Sequence, residues 1–276
     1  MSLPIALTIE VGVVALAVLL LVGVRRVAGG PLLREPTRGT PMIMMVSTAF
    51  AVLLAFITIA AFQTYNGAKS GARSEAVATL EMFRTAALFP AADRDILRAD
   101  LACYGRSVAT LEWATMRDGQ RSPVTEGWIS AYRDHFNQLG LGSPREQLGF
   151  QELLTEARNR TDGRRERLTE ATPSVPLPLW IVLVLGGCVA IGLQLSMADR
   201  RERRVVQGSL IAGVAAIVTA GLLLVYFLDH PYQRHLGSIK PAEMRQTLAM
   251  MNQQSPGLHL PCAPSGRPLT AATPPA

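Results

Sequence analysis

Four apolar segments constrain this chain more than any other feature: residues 3–24, 42–62, 177–197 and 205–228. Each holds about 20 residues with at most one charge, and at ~1.5 Å rise per residue that is enough helix to cross a hydrocarbon layer of about 30 Å. Backbone amides and carbonyls in lipid have no water to bond, so runs of this length must satisfy themselves as helices. The chain therefore reads as a multi-pass membrane protein whose first partner is the lipid bilayer. The first segment reads as an uncleaved span rather than a signal peptide. No basic residue precedes Leu3, Arg25 and Arg26 follow directly, and the apolar stretch is longer than a signal core.

A hydrophilic block, residues 63–176, separates the second and third segments. It carries 15 Lys/Arg and 15 Asp/Glu and is neutral, so the formal charge of +6 arises elsewhere. Arg25, Arg26, Arg34 and Arg38 stand between the first two spans, and Arg200, Arg201, Arg203 and Arg204 between the last two. These arginines flank spans instead of forming a folded basic face, which argues for cytoplasmic anchoring and against nucleic acid. Short loops weigh more than long domains in setting orientation, so the count places the middle block and the C-terminal tail outside. The scarcity of lysine (Lys69 and Lys240) beside abundant arginine matches a G+C-rich bacterial coding bias, and the location expected is a bacterial inner membrane. Cys103 and Cys262 fall on one side of the membrane; both a bridge between them and two free thiols remain open readings. Cys188 lies within the third span as a small packing residue.

Helical spacing runs through the middle block. No proline interrupts residues 42–89, and Ala76, Leu80, Phe83 and Ala87 prolong the second span's helix to Pro90. Asp93 and Asp95 favour a new helix start. That helix carries Leu97, Leu101, Tyr104, Val108 and Leu111 and is expected to end near Arg117. A short helix follows with Ile129, Tyr132, Phe136 and Leu139. Ser143-Pro144-Arg145-Glu146 reads as a capping box that opens a fourth helix toward Leu168. No strand alternation is visible. The expected fold is all-α: a first transmembrane hairpin (1–62), an extramembrane helical domain (63–176), a second hairpin (177–228) and a tail (229–276). The tail reads as a short amphipathic helix on Met244, Leu248 and Met251, then a disordered end with six prolines from Ser255 onward.

Candidate chemistry is sparse. A nucleophile elbow, a phosphate-binding glycine loop and a dinucleotide fingerprint are all missing, so the chain reads as neither an enzyme nor a cofactor protein. His259-x-x-Cys262 is a lone pair without metal-site spacing. Glu10 is the one ionisable residue well inside a span, as an interfacial structural carboxylate or as part of an ion path. Gly208, Ala212, Ala216 and Ala220 form a small-residue stripe suited to helix packing. Ser47, Ala51, Ala55 and Thr58 form a second stripe, which could pack or could line a pore.

Several motifs in order around the four spans carry a family resemblance. These are Glu75-Ala76, Phe89-Pro90, Glu112-Trp113-x-x-Met116-x-x-Gly119, Arg164-x-x-Arg167-Leu168, Pro176-x-x-Leu179-Trp180 and Leu228-Asp229-x-Pro231-Tyr232. Together they resemble the bacterial bestrophin-like domain family over nearly the whole chain to about residue 250. The resemblance implies kinship with bestrophins, which are pentameric anion channels whose second span lines the pore and whose middle domain is cytosolic. It thus implies a homo-oligomer and an ion, and it conflicts with the charge count over orientation. Glu112 beside Trp113 reads as a carboxylate paired with Arg164 or Arg167 next to a packed indole. Two functions follow: an oligomeric channel with a pore of second spans, or a non-conducting sensor or assembly protein acting through its helical domain.

Overall fold

The computed structural model describes residues 2–27, 36–199, 202–233, 235 and 237–269. The described residues are all-α, with a single isolated bridge between Cys262 and Pro268 as their only extended pairing. Arg34, Arg200 and Arg201 of the two basic loops lie outside them, as do the last seven residues of the proline-rich end.

The chain divides into two units, residues 1–65 with 173–238 and residues 66–172 with 239–276. One helix, α2 (Pro36–Thr85), contributes to both. Its 50 residues correspond to about 75 Å, well over twice a hydrocarbon thickness.

Unit 1 comprises α1 (Leu3–Val27), the first part of α2, α7 (Leu177–Ser196) and α8 (Arg204–Asp229). All four helices are long and apolar enough to cross a membrane. Large apolar side chains such as Leu7, Val11, Leu19, Phe56, Leu185 and Ile217 are exposed, as lipid-facing positions require. The interior is correspondingly modest. Ala17 and Leu21 of α1 meet Ile211 and Ala215 of α8, and Phe50 and Ile57 of α2 meet Leu183, Val218 and Val225. Arg25 ties the end of α1 to α8, donating to Gln207 Oε1 at 2.6 Å and to the Glu202 carbonyl at 2.8 Å.

Close approach in this unit falls on glycines that the stripe pattern did not single out. A Cβ on Gly186 would stand 2.7 Å from Phe50, on Gly187 2.9 Å from Val218, and on Gly221 2.8 Å from Leu54. Gly208, by contrast, has open space around it, and Ala220 is exposed. The packed face of α8 is therefore Ile211, Ala215, Val218 and Val225, offset from the expected 208/212/216/220 stripe. Small residues permit contact, but the neighbours decide which of them are used.

Unit 2 holds α2 from Asn66, then α3 (Ala91–Ser107), α4 (Trp113–Thr115), α5 (Pro123–Asn137), α6 (Pro144–Thr169) and α9 (Ala242–Gln254). Helix α2 ends at Thr85 with one 3-10 turn before Phe89, and Asp93 occupies the first turn of α3. The capping box at α6 forms as its spacing predicts: Ser143 Oγ accepts from Glu146 N–H at 3.2 Å, and Glu146 Oε2 accepts from Ser143 N–H at 2.9 Å. The segment after α3 stays helical to Asp118 but widens into a π turn at Val108–Glu112, and Gly119 closes it at φ 69°. The core gathers Phe83, Leu97, Leu101, Tyr132, Phe136, Leu153 and Met251.

For residues 255–269 the expectation of disorder gives way to packed structure, and residues 270–276 lie outside the described residues. Residues 255–269 pack on α3 and the π turn as part of unit 2. A disulfide joins Cys103 to Cys262 across 159 residues. Leu269 N–H donates to Pro261 O and Ala263 N–H to Arg267 O, making a small clasp. Gly266, at φ 82°, lies so close to Ser107 that a Cβ would come within 2.3 Å of its amide nitrogen, and its carbonyl accepts from Trp128 Nε1 at 2.6 Å. Prolines here rigidify a covalently tethered loop, whereas in an untethered tail they would only forbid helix.

Candidate functional site: a buried ion network

Residues from α2, α3, the π turn, α5 and α6 meet inside unit 2. Arg167 is its centre and is fully buried. Its Nε donates to Glu75 Oε2 at 2.5 Å and its Nη2 to Glu75 Oε1 at 2.9 Å, a fork-on-carboxylate pairing. The same Nη2 reaches Glu112 Oε2 at 2.6 Å, and Nη1 points at Met116 Sδ at 3.2 Å. Arg164 clasps Glu112 from the other side through Nη2 and Nε, and bridges to Glu126 Oε1 at 3.0 Å. Tyr104 Oη donates to Glu75 Oε1 at 2.5 Å. The indole of Trp113 faces the Arg167 guanidinium at 5.5 Å and donates to the Ile239 carbonyl at 3.4 Å.

Burial and pairing set the protonation states. Burial alone would raise the pKa of Glu112, but Arg167 and Arg164 outweigh it and hold the carboxyl below the usual glutamate range. Burial opposes the charge on Arg167, yet Glu75 and Glu112 hold it well above the ordinary arginine value. The Tyr104 phenol is pushed well up by burial and by Glu75. Glu112 is thus held as a carboxylate and Arg164 and Arg167 as guanidiniums, beside a neutral Tyr104 phenol. Such a site holds helices in place.

Two glycines make the network reachable. A Cβ on Gly71 would stand 2.6 Å from Arg167 N, and one on Gly163 2.5 Å from Glu75 N. With no side chain at either position, the backbones of α2 and α6 touch, which brings Glu75 within reach of Arg167.

The expected pairing of Glu112 with Arg164 or Arg167 is realised with both. Glu75, Glu112, Trp113, Met116, Arg164 and Arg167 are brought together, and Gly119 is the left-handed stop of the turn that carries Met116. Trp180, Asp229 and Pro231 belong to unit 1. There Asp229 Oδ1 accepts from Ser174 N–H (2.7 Å), Ser174 Oγ (3.0 Å) and Val175 N–H (3.0 Å), fixing the turn that leads into α7. Trp180 lies edge-on to Tyr226 at 6.4 Å. The stripe Ser47, Ala51, Ala55 and Thr58 splits: Ala51 and Ala55 are exposed, while Ser47 and Thr58 are half-buried and Thr58 Oγ1 donates to Leu54 O at 2.7 Å. Glu10 is half-buried on α1, its Oε2 without a hydrogen-bond partner.

A family model, the bestrophin-like domain, matches residues 11–243. The chain belongs to the bestrophin-like domain family. The bestrophin-like fold is also visible in solved structures. A point variant of a bacterial bestrophin homologue from Klebsiella pneumoniae is 11% identical, covers 90% of this chain and 98% of its own, and superposes with a TM-score of 0.68. A second variant of that homologue gives 14% identity, coverage of 90% and 97%, and a TM-score of 0.68. A further structure of the homologue gives 14%, 92% and 100%, and 0.64. No curated protein matches the sequence.

Sequence reasoning missed Tyr104, Glu126 and Arg160 as companions of the network. Arg160, Gly163, Arg164 and Arg167 share one face of α6 at 3- and 4-residue spacing. That periodicity was available, but it is a polar face, and polar faces are ordinarily assigned to water.

Proposed function

We propose that this bestrophin-like protein assembles as a homo-oligomeric ion channel in a bacterial inner membrane, with the second helix of each subunit lining the pore. The carrying observation is α2: a single helix whose face bearing Ala51, Ala55 and Ile59 is uncovered within one subunit. Of the Ser47, Ala51, Ala55 and Thr58 stripe, the two alanines are the pore candidates, because the other two residues turn toward the subunit's own interior. Kinship with bestrophins, at the level of family and fold, supports the same assignment.

The covalent chemistry supports one orientation. The Cys103–Cys262 bridge supports an external unit 2, since disulfides persist where the compartment is oxidising. The charge count favours the same side.

The test is recording from purified protein in planar bilayers. With Cys188→Ser removing the exposed native thiol, Ala55→Cys is expected to pass current that a thiol-reactive cation or anion blocks. Silence of the unmodified protein across voltage, pH and calcium would overturn conduction. Current that the reagent leaves untouched would overturn the lining assignment. Alkaline phosphatase fused after residue 269 is expected to be active, and an inactive fusion beside an active cytoplasmic reporter would reverse the orientation.

A further inference from the structure

A guanidinium without a partner lies beside the network. Arg160 is 5% exposed, and its Nε and Nη1 are buried with no hydrogen-bond partner. Two rings flank it, Tyr104 at 4.9 Å and Tyr132 at 5.7 Å from the guanidinium carbon. Four carboxylates of unit 2 are already engaged by other basic side chains, and the exposed Asp162 shares the lining of an adjoining cavity with Arg160. Glu75 and Glu112 are held by Arg167 and Arg164, Glu126 by Arg164 and Arg121, and Asp100 by His135 at 2.5 Å. Burying a cation with orphaned donors is costly unless an anion completes it.

Arg160 lines a cavity of about 310 Å³ between α5 and α6. Arg121, Arg133, Arg164 and Arg165 line it too, against the single carboxylate of Glu126. Arg133 and Arg160 are shared with an adjoining cavity of about 530 Å³ whose wall includes Tyr132, Phe136 and Leu154. The two halves differ in chemistry: one is a cluster of fixed positive charge, and the other joins an apolar and aromatic wall to Arg133, Arg158, Arg160 and Asp162.

We infer that this α5–α6 cleft binds an oxyanion carrying an apolar body, a phosphate ester or its lipid counterpart, with the oxyanion on Arg160 and Arg133 and the body against Tyr132 and Phe136. A planar guanidinium can pair two of its N–H donors with two oxygens of a tetrahedral phosphate, and the rings of Tyr104 and Tyr132 flank the Arg160 guanidinium. The site is independent of conduction and of the channel reading above.

The experiment is thermal unfolding of the full chain in detergent with phenyl phosphate, and in phosphatidylcholine nanodiscs with and without phosphatidic acid, all at matched ionic strength. A rise of roughly 5 °C at saturation is expected in one arm. A response to phenyl phosphate identifies a soluble ester as the source, and a response only to phosphatidic acid identifies a lipid headgroup. Arg133→Ala with Arg165→Ala, both exposed and free to fold, is expected to weaken the response about tenfold in apparent affinity. Arg160→Met is expected to abolish it while the unliganded variant melts no lower than the parent, because an orphaned charge has been removed. No response in either arm overturns the site. So does a response that survives all these substitutions, or an Arg160→Met protein that melts lower yet responds fully, since stacking on the tyrosines would then be its only role.

Discussion

In unit 1 the tightest helix approaches run over Gly186, Gly187 and Gly221 against Phe50, Val218 and Leu54, all apolar contacts. In unit 2 the tightest approach between helices sets Gly71 against Gly163, backbone on backbone, beside two buried carboxylates and two buried guanidiniums. The difference is the one expected if unit 1 sits in lipid and unit 2, as we propose, in water. Lipid gives apolar side chains no reason to leave it, so a membrane helix pair depends on close fit and few polar contacts. Water does expel apolar groups, so unit 2 has a Phe83/Leu97/Phe136/Leu153 core to spare, and can hold charges in fixed register on top of it. Fit distributes stability over many weak contacts, whereas a charge network concentrates it in a few residues.

That contrast can be broken most sharply at Arg167. Arg167→Met leaves Glu75 and Glu112 short of their shared cation, and unit 2 should lose about 3–5 kcal/mol. Thr219→Val, at the buried threonine of α8, should cost unit 1 less than about 1 kcal/mol. Hydrogen exchange reported unit by unit reads both, and comparable losses would end the distinction. Next in size is the disulfide. Cys262→Ser, or reduction, should cost about 2–4 kcal/mol and expose residues 255–269 to protease, with exchange in α1, α7 and α8 unchanged. Protection of that segment after reduction would show that its hydrogen bonds suffice alone. Gly163→Ala should then cost about 1–3 kcal/mol, since its Cβ would meet Glu75 N at 2.5 Å. Gly208→Ala, with open space around it, should be neutral or slightly stabilising. Melting midpoints of the two variants compare them directly.

Acid gives the smallest and most graded effect. The folded pKa of Glu112 is depressed, so its stabilisation is complete above the ordinary value of 4.5 and is lost as pH falls through the lowered folded value. Asp100 runs the other way. Burial raises its pKa against the opposing hydrogen bond from His135, so its contribution favours the acid side and is lost as pH rises through the raised value. The melting midpoint of unit 2 should fall below pH 4.5, less steeply in Glu112→Gln and more steeply in Asp100→Asn. Identical slopes in all three proteins would remove Glu112 from the explanation.

Local pattern made much of this legible. Four spans, the box at Ser143 and Glu146, the helix end near Arg117 and the partnership of Glu112 with Arg164 and Arg167 are readable because each rests on short spacing or on scarce charges near one another. What escaped was set by long-range contact. Cys103 and Cys262 are 159 residues apart, and nothing in their flanks announces a bridge. The proline-rich end looked disordered because composition describes an untethered chain, and the tether was the unseen fact. The π turn at Val108–Glu112 lies where Thr110 Oγ1 donates to Ser265 O and Gly266 crowds Ser107, contacts with the tail that local sequence does not reveal. On α8 the packed face is displaced from the small-residue stripe because Leu54 of α2 meets Gly221, while Gly208 has open space around it.

Electron cryomicroscopy of the protein in lipid nanodiscs is the most direct examination of α2 as a pore helix. A closed ring of subunits is expected, with the second helices around a central opening and Ala51 and Ala55 facing it. A monomeric particle, or a ring in which those alanines face lipid, would contradict the channel assignment.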